Sequence, residues 1–143
     1  LGDVYKRQGL PVAFHPNASL EELHTLYRES SVYWHAQGFG ESHLMAPQSQ
    51  EHFGITTVEA MSAGAIAMVY DTAGPAEVVA DAPGTVRWTS LEELRLATRN
   101  IARADPTDLA SLRRAAQRRA AEFSEAAFAT RLLTLVETGS PRS

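Results

Sequence analysis

The sequence predicts an α/β domain with a doubly wound parallel sheet, and three features carry that expectation. Short apolar or β-branched runs alternate with amphipathic helical segments, the order that builds parallel strands joined by crossover helices. The run AIAMVY, residues 65–70, is apolar at every position but the last, as a strand covered on both faces is. A long polar loop, residues 37–50, holds two glycines and a proline. Loops of such length inside a compact domain are functional or disordered.

The elements follow in order. GLPVAFHP (9–16) is a short apolar run stopped by Pro16 and predicts a first strand. In NASLEELHTLYRES, Ser19 and Glu22 have the spacing of a capping box, and Leu20, Leu23, Leu26 and Tyr27 repeat at helical spacing. SVYWHA (31–36) is β-branched and aromatic and predicts a second strand. After the loop, EHFGITTVEAMSAG (51–64) predicts a helix from about Thr57 to Ser62, closed by Gly64. The 65–70 strand is followed by a turn and short helix in TAGPAEVVAD, then by a strand in GTVRW (84–88). Ser90 with Glu93 predicts a second capping box, opening a helix over 90–104. Asp105-Pro106 opens the next, with proline at its first position. A last helix over about Ser124–Glu137 carries Phe128, Leu132, Leu135 and Val136 on one face. Arg113, Arg114, Arg118 and Arg119, interleaved with Ala, read as a solvated helix face. There is no internal repeat.

Composition narrows the function classes. The 143 residues suffice for one domain with a real core, and 44% apolar against 21% charged is ordinary for a globular chain. A net charge of -4 argues against a nucleic-acid partner. Without cysteine there are no disulfides and no thiolate metal sites. No apolar run approaches the roughly 18 residues of a membrane span, and no signal-peptide pattern opens the chain. Residues 1–8, LGDVYKRQ, are charged and unpatterned and read as foreign or disordered sequence. The domain is expected over 9–138, with 139–143 a tail, and the chain is expected to be a fragment of a longer protein.

In a doubly wound sheet, ligands bind at the carboxyl ends of the strands, here in the loops 36–56 and 71–75. EHFGITTVEAMSAG falls there and sets Glu51 before a helix and Glu59 within its first turns. Two readings are open. Thr56-x-x-Glu59 has the spacing of a capping box, with Glu59 satisfying orphan amides and Glu51 a solvated loop carboxylate. Alternatively, a helix N-terminus entered through Gly54 is an anion site suited to phosphate, with threonine hydroxyls as further donors. Carboxylates on either side would then take polyol hydroxyls, the layout of a nucleotide-diphospho-sugar.

The same stretch resembles the E-x7-E signature of retaining GT-B glycosyltransferases, the family 4 group (glycosyl transferases group 1). LEELHTLYRESSVYWHAQGFGE, AIAMVYDTAGPAEVV and the terminal FS…F extend the resemblance over roughly residues 10–137. It implies a Rossmann-like C-terminal half of a GT-B fold that binds a nucleotide-diphospho-sugar donor. Glu51 is then the catalytic carboxylate, approaching hydroxyls of the donor sugar. The backbone at Phe53, Gly54 and Ile55 meets sugar and phosphates, Thr56 and Thr57 open the helix toward the diphosphate, and Glu59 binds the ribose. The string WHA-x-G resembles a subset of the family that includes mannosyltransferases building lipid-linked oligosaccharides, which assigns His35 and Gly38 to the donor loop. The resemblance implies hexosyl transfer with no cofactor and no metal. It also implies a glycan or lipid-linked acceptor held by a missing N-terminal domain. The expected location is cytoplasmic, at the cytosolic face of a membrane if the missing part associates with one. A GT-B-like epimerase or phosphorylase, and a non-catalytic nucleotide-binding remnant, are the alternative functions.

Two positions depart from the family. Ala67 stands where proline is common, which is harmless because proline only stiffens the turn into that strand. Ala73-Gly74 stands where a glycine pair is common, and the methyl of Ala73 puts a close backbone approach in doubt. His35 and His43 share a loop with Glu41, yet no pair has metal-ligand spacing on one helix face. No G-x-G-x-x-G, P-loop or nucleophile elbow occurs.

Overall fold

A computed structural model describes residues 11–40 and 51–138. In chain order the elements are α1 (Leu20–Glu29), β1 (Val32–His35), α2 (Ile55–Ser62), β2 (Ile66–Tyr70), α3 (Ala73–Val79), β3 (Thr85–Trp88), α4 (Leu91–Arg103), α5 (Pro106–Ala121) and α6 (Glu125–Thr138). The three strands form one parallel sheet in the order β1-β2-β3. His35 lies opposite Val69, and Tyr70 opposite Trp88, so the carboxyl ends of all three strands share one edge. This is the expected doubly wound, Rossmann-like α/β arrangement.

β2 is buried on both faces, as its uninterrupted apolar run requires. Ile66 and Met68 point into one core layer with Trp88 and Leu94, under α4. Ala67 and Val69 point into the other, with Met61 of α2, Val78 and Val79 of α3, and Ala116 and Ala120 of α5. Helix α5 serves both layers, because Leu109 and Leu112 join the first. Sealing strands on both faces removes the apolar area that drives the fold from water.

The helix starts follow their sequence signals. Ser90 and Glu93 form the full reciprocal box, and Asp105 accepts from the amides of Thr107 and Asp108 ahead of Pro106. Ser19 accepts from the Glu22 amide, but the Glu22 carboxylate turns to His15 Nδ1 at 2.7 Å, so this box is half made. Gly64 closes α2 with φ +91.

Two expectations are corrected. Over its described part, residues 11–16, the first predicted strand is irregular and exposed. Pro11 and Pro16 bracket the run without N–H donors, and none of the three strands pairs with it, which leaves Val12 42% and Phe14 44% exposed. Nor are the four arginines a uniform solvated face. Arg114 and Arg118 are exposed, but Arg113 donates to the carbonyls of Arg28 and Ser30 at the end of α1. Arg119 donates to Glu77 and Val78 at the end of α3, 3.0 and 2.7 Å away, and lies over the Phe123 ring. α5 crosses the carboxyl ends of α1 and α3, where carbonyls lack helical partners and the helix dipole favours a cation. The apolar face of α6 remains exposed among the described residues, with Phe128 at 67% and Val136 at 73%.

Arg119→Ala should therefore lower stability by about 1–3 kcal/mol, since it strips charged donors from part-buried carbonyls. Arg118→Ala should stay within about 0.5 kcal/mol of the parent. Urea denaturation of both variants makes the comparison, and equal effects would mean that Arg119 is as solvated as its neighbour.

Candidate functional site at the carboxyl edge of the sheet

The edge where β1, β2 and β3 end is built from short segments. After His35 the chain turns through Gly38, which is buried at φ +82. Phe39 then packs its ring on Tyr70 and Trp88, with centroids 5.3 and 5.2 Å away, and these two also touch. Phe39 thus ties the loop after β1 to the ends of the other two strands. The sequence reading missed this anchor. An aromatic between two glycines was the available signal, but what it would pack on depends on the strand order.

The motif segment enters α2 through Gly54, whose φ of +79 and ψ of +56 are left-handed. The helix consequently begins at Ile55, two residues before the expected Thr57. No side chain caps it. Thr57 occupies the third helical position, where the reciprocal glutamate of a capping box would sit, and Glu59 lies beyond it. The Thr56 hydroxyl bonds the Tyr33 hydroxyl at 2.8 Å instead of an amide. The capping-box reading of Thr56 and Glu59 is therefore corrected, because the left-handed glycine starts the helix upstream of the threonine. α2 presents an N-terminus with a backbone entry and no side-chain cap at the sheet edge, and the amides there carry the positive end of its dipole.

The backbone of 51–54 is seated on the turn after β2. A Cβ placed on Gly74 would lie 2.0 Å from the His52 carbonyl oxygen, and the Gly74 amide donates to the Glu51 carbonyl at 3.2 Å. Only glycine permits that approach. Its neighbour Ala73 has φ +48, a left-handed conformation that costs a residue with a Cβ about 1–2 kcal/mol. The methyl of Ala73 is thus accepted by strain in the turn itself.

Glu51 precedes α2, and Glu59 lies within it. Glu51 is half-buried before the helix, and its electrostatic influence reaches His35. Glu59 is half-buried and lines a groove of about 250 Å³ between α1 and α2 with His24, Tyr27, Arg28 and Ser62. Burial, with smaller contributions from Tyr33 and Glu59, pushes the Tyr27 phenol up to about 12, so it remains a protonated donor there. Phe53 turns its ring to Phe123, 5.8 Å away, and borders a separate cleft of about 240 Å³ with His52, Glu77, Arg119 and Arg131. Ile55 is exposed at the helix entry.

His35 is 8% exposed at the end of β1. Burial lowers its pKa below the ordinary histidine value, with Glu51 pulling weakly the other way, so the ring is neutral at pH 7. Three buried side-chain polar atoms lack a hydrogen-bond partner among the described residues: His35 Nδ1, Thr57 Oγ1 and Trp88 Nε1. All three belong to strand ends at this edge or to the first turn of α2. A buried donor or acceptor without a partner is uncommon, and these three lie in elements that end or begin at this edge. Glu41 and His43 lie outside the described residues. Among those described, no group of three or more His, Asp or Glu side chains is arranged to hold a metal ion. No described helix is long and apolar enough to cross a membrane.

Two substitutions in the turn should act oppositely. Ala73→Gly should raise stability by about 0.5–1 kcal/mol, because relief of the left-handed strain outweighs the added chain entropy of glycine. Gly74→Ala should lower stability by more than about 2 kcal/mol, because the new methyl must displace the His52 carbonyl. Thermal melts read both. A stabilised or neutral Gly74→Ala would show that the motif segment is not seated on this turn.

The family model described as glycosyl transferases group 1 matches residues 9–88, more than half of the chain. No curated protein and no solved structure matches it. The matched span takes in all three strands, the Gly54 entry to α2, and both Glu51 and Glu59. On this ground the chain is a member of the glycosyl transferases group 1 family.

Proposed function

We propose that this domain, residues 9–138, is the donor-binding half of a retaining family 4 glycosyltransferase that transfers a hexosyl group from a nucleotide-diphospho-sugar. The observation that carries the reading is the entry to α2 at the carboxyl edge of a parallel sheet: an N-terminus without a side-chain cap, opened by left-handed Gly54 and preceded by Glu51, with Glu59 a turn into the helix. Family membership and the eight-position spacing of the two glutamates in the E-x7-E motif support it.

In this reading the diphosphate rests on the amides of Gly54, Ile55 and Thr56, with the buried Thr57 hydroxyl as a further partner. The backbone of Phe53 and Gly54 approaches the sugar, Glu51 accepts from its hydroxyls, and His35 and Gly38 close the loop above it. Glu59 takes the ribose hydroxyls in its groove beside Tyr27. The bond from the sugar's anomeric carbon to the diphosphate oxygen breaks while a bond to the acceptor hydroxyl forms on the same face. The acceptor's proton passes to the departing diphosphate, whose growing charge the α2 N-terminus stabilises. Glu51 orients the sugar and forms no covalent intermediate. The acceptor, a glycan or lipid-linked saccharide, is held by an N-terminal domain of the complete enzyme. That enzyme is placed in the cytoplasm, at the membrane surface when its acceptor is lipid-linked. No cofactor or metal is required.

Glu59→Gln should weaken nucleoside diphosphate binding by roughly 1–3 kcal/mol, the scale of charge-assisted hydrogen bonds. Neither Glu59→Gln nor Glu59→Ala should change folding stability by more than about 0.5 kcal/mol, since Glu59 caps nothing. Calorimetric titration paired with thermal melts tests this, and unchanged affinity in Glu59→Gln would remove the ribose assignment. In the complete enzyme, Glu51→Gln should reduce turnover more than nucleotide affinity. A rate within about twofold of the parent, less than the loss expected for a group acting in the transition state, would show Glu51 to be misassigned.

A further inference from the structure

We propose that Tyr33 is a positioning residue of the donor site: its phenol holds the Thr56 hydroxyl so that the threonine donates a hydrogen bond to the diphosphate. The inference rests on the donor-site reading above. Tyr33 stands on β1 and Thr56 at the second position of α2, and their hydroxyl oxygens are 2.8 Å apart. The Tyr33 ring has little freedom. It meets Tyr27 edge-on with centroids 6.0 Å apart and lies 6.4 Å from His35. It also packs against the cluster that holds Met61 and Val69 and against that of Tyr27, Ala60 and Ala65. A hydroxyl on a ring so fixed ties the first turn of α2 to β1.

The partner of Thr56 differs from that of threonines deeper in helices. Thr25, Thr98, Thr130 and Thr134 each donate to the carbonyl four residues back, as helical threonines commonly do. For Thr56 that carbonyl belongs to His52, which precedes the helix and is turned against Gly74. With that acceptor withdrawn, the hydroxyl meets Tyr33. Each hydroxyl has one hydrogen and two lone pairs, and either oxygen of this pair could donate. A phenol is the stronger donor and an aliphatic hydroxyl the stronger acceptor, which assigns the shared hydrogen to Tyr33. The Thr56 hydrogen then has no acceptor among the described residues. Helical side chains lean toward the amino end, so this hydrogen is carried at the end of α2 that no side chain caps. The next residue, Thr57, is buried with its Oγ1 unpartnered. An anion bound there would accept from Thr56. The chain from phenol to alcohol to phosphate would strengthen as its links polarise one another.

The test is a double-mutant cycle on the 143-residue chain, with Tyr33→Phe, Thr56→Val and the two combined. Both replacements keep the size of the side chain and remove its hydroxyl. Binding of UDP-glucose, GDP-mannose and ADP-glucose is read by calorimetry, with thermal melts of each variant alongside. Tyr33→Phe should weaken the binding of a nucleotide-sugar by about three- to tenfold, the scale of one hydrogen bond. In the Thr56→Val background the same change should cost less than about twofold, because the hydroxyl that Tyr33 positions is gone. A bond that serves only the fold would lower the melting temperature of Tyr33→Phe and leave its affinity at the parent value. That result would overturn the proposal while sparing the donor site. So would an equal loss of affinity with and without the Thr56 hydroxyl. If the parent chain binds none of the three nucleotide-sugars, the donor-site reading falls and this inference falls with it.

Discussion

The site depends on one backbone contact, the seating of residues 51–54 on Gly74. The His52 carbonyl occupies the space where a side chain at position 74 would begin, and the Glu51 carbonyl accepts from the Gly74 amide. That contact fixes the segment's height over the sheet edge. Gly54 then turns through a left-handed conformation against Pro75, and α2 starts immediately afterwards. Moving this segment would shift Glu51 and the helix entry together. Strain at Ala73 is the local cost of holding the turn that way, and the core under β2 and α3 is what sustains it.

Electrostatics at this edge come from placement more than from charged side chains. The dipole of α2, with no side chain at its end to occupy the amides, supplies the positive potential. Glu51 precedes the helix, and Glu59 lies within it, in a groove beside Tyr27. Arginines 113 and 119 are engaged elsewhere, satisfying the last carbonyls of α1 and α3. The same rule about helix ends therefore acts twice: cations close the carboxyl ends within the fold, and an amino end remains available at the site.

Much of the fold was legible in the sequence because local signals and tertiary demands agreed. AIAMVY is apolar on both faces, and β2 is covered on both; Ser90 with Glu93 and Asp105 with Pro106 cap where their chemistry says they should. The failures arose where a second feature competed. Thr56 and Glu59 have capping-box spacing, but Gly54 has the freedom to start the helix earlier, and spacing alone cannot rank the two. Val12 to Phe14 has strand character without a strand that pairs with it. Arg119 resembles its solvated neighbours until α3 is brought under it. Of the candidate site, the motif's helix entry and the end of β1, named from residue type and resemblance, lie at the carboxyl edge of the sheet. Phe39 was not legible, since its partners Tyr70 and Trp88 are far along the chain and meet it only through the parallel register.

The central claim is that the entry to α2 is where the donor's charge is held, and backbone amide resonances report on it directly. On titrating the labelled chain with a nucleotide-sugar, the account predicts that the amides of Gly54, Ile55 and Thr56 shift most, with Glu59 and its groove following. Shifts centred instead on the cleft of Glu77, Arg119 and Arg131, with those three amides unmoved, would contradict it.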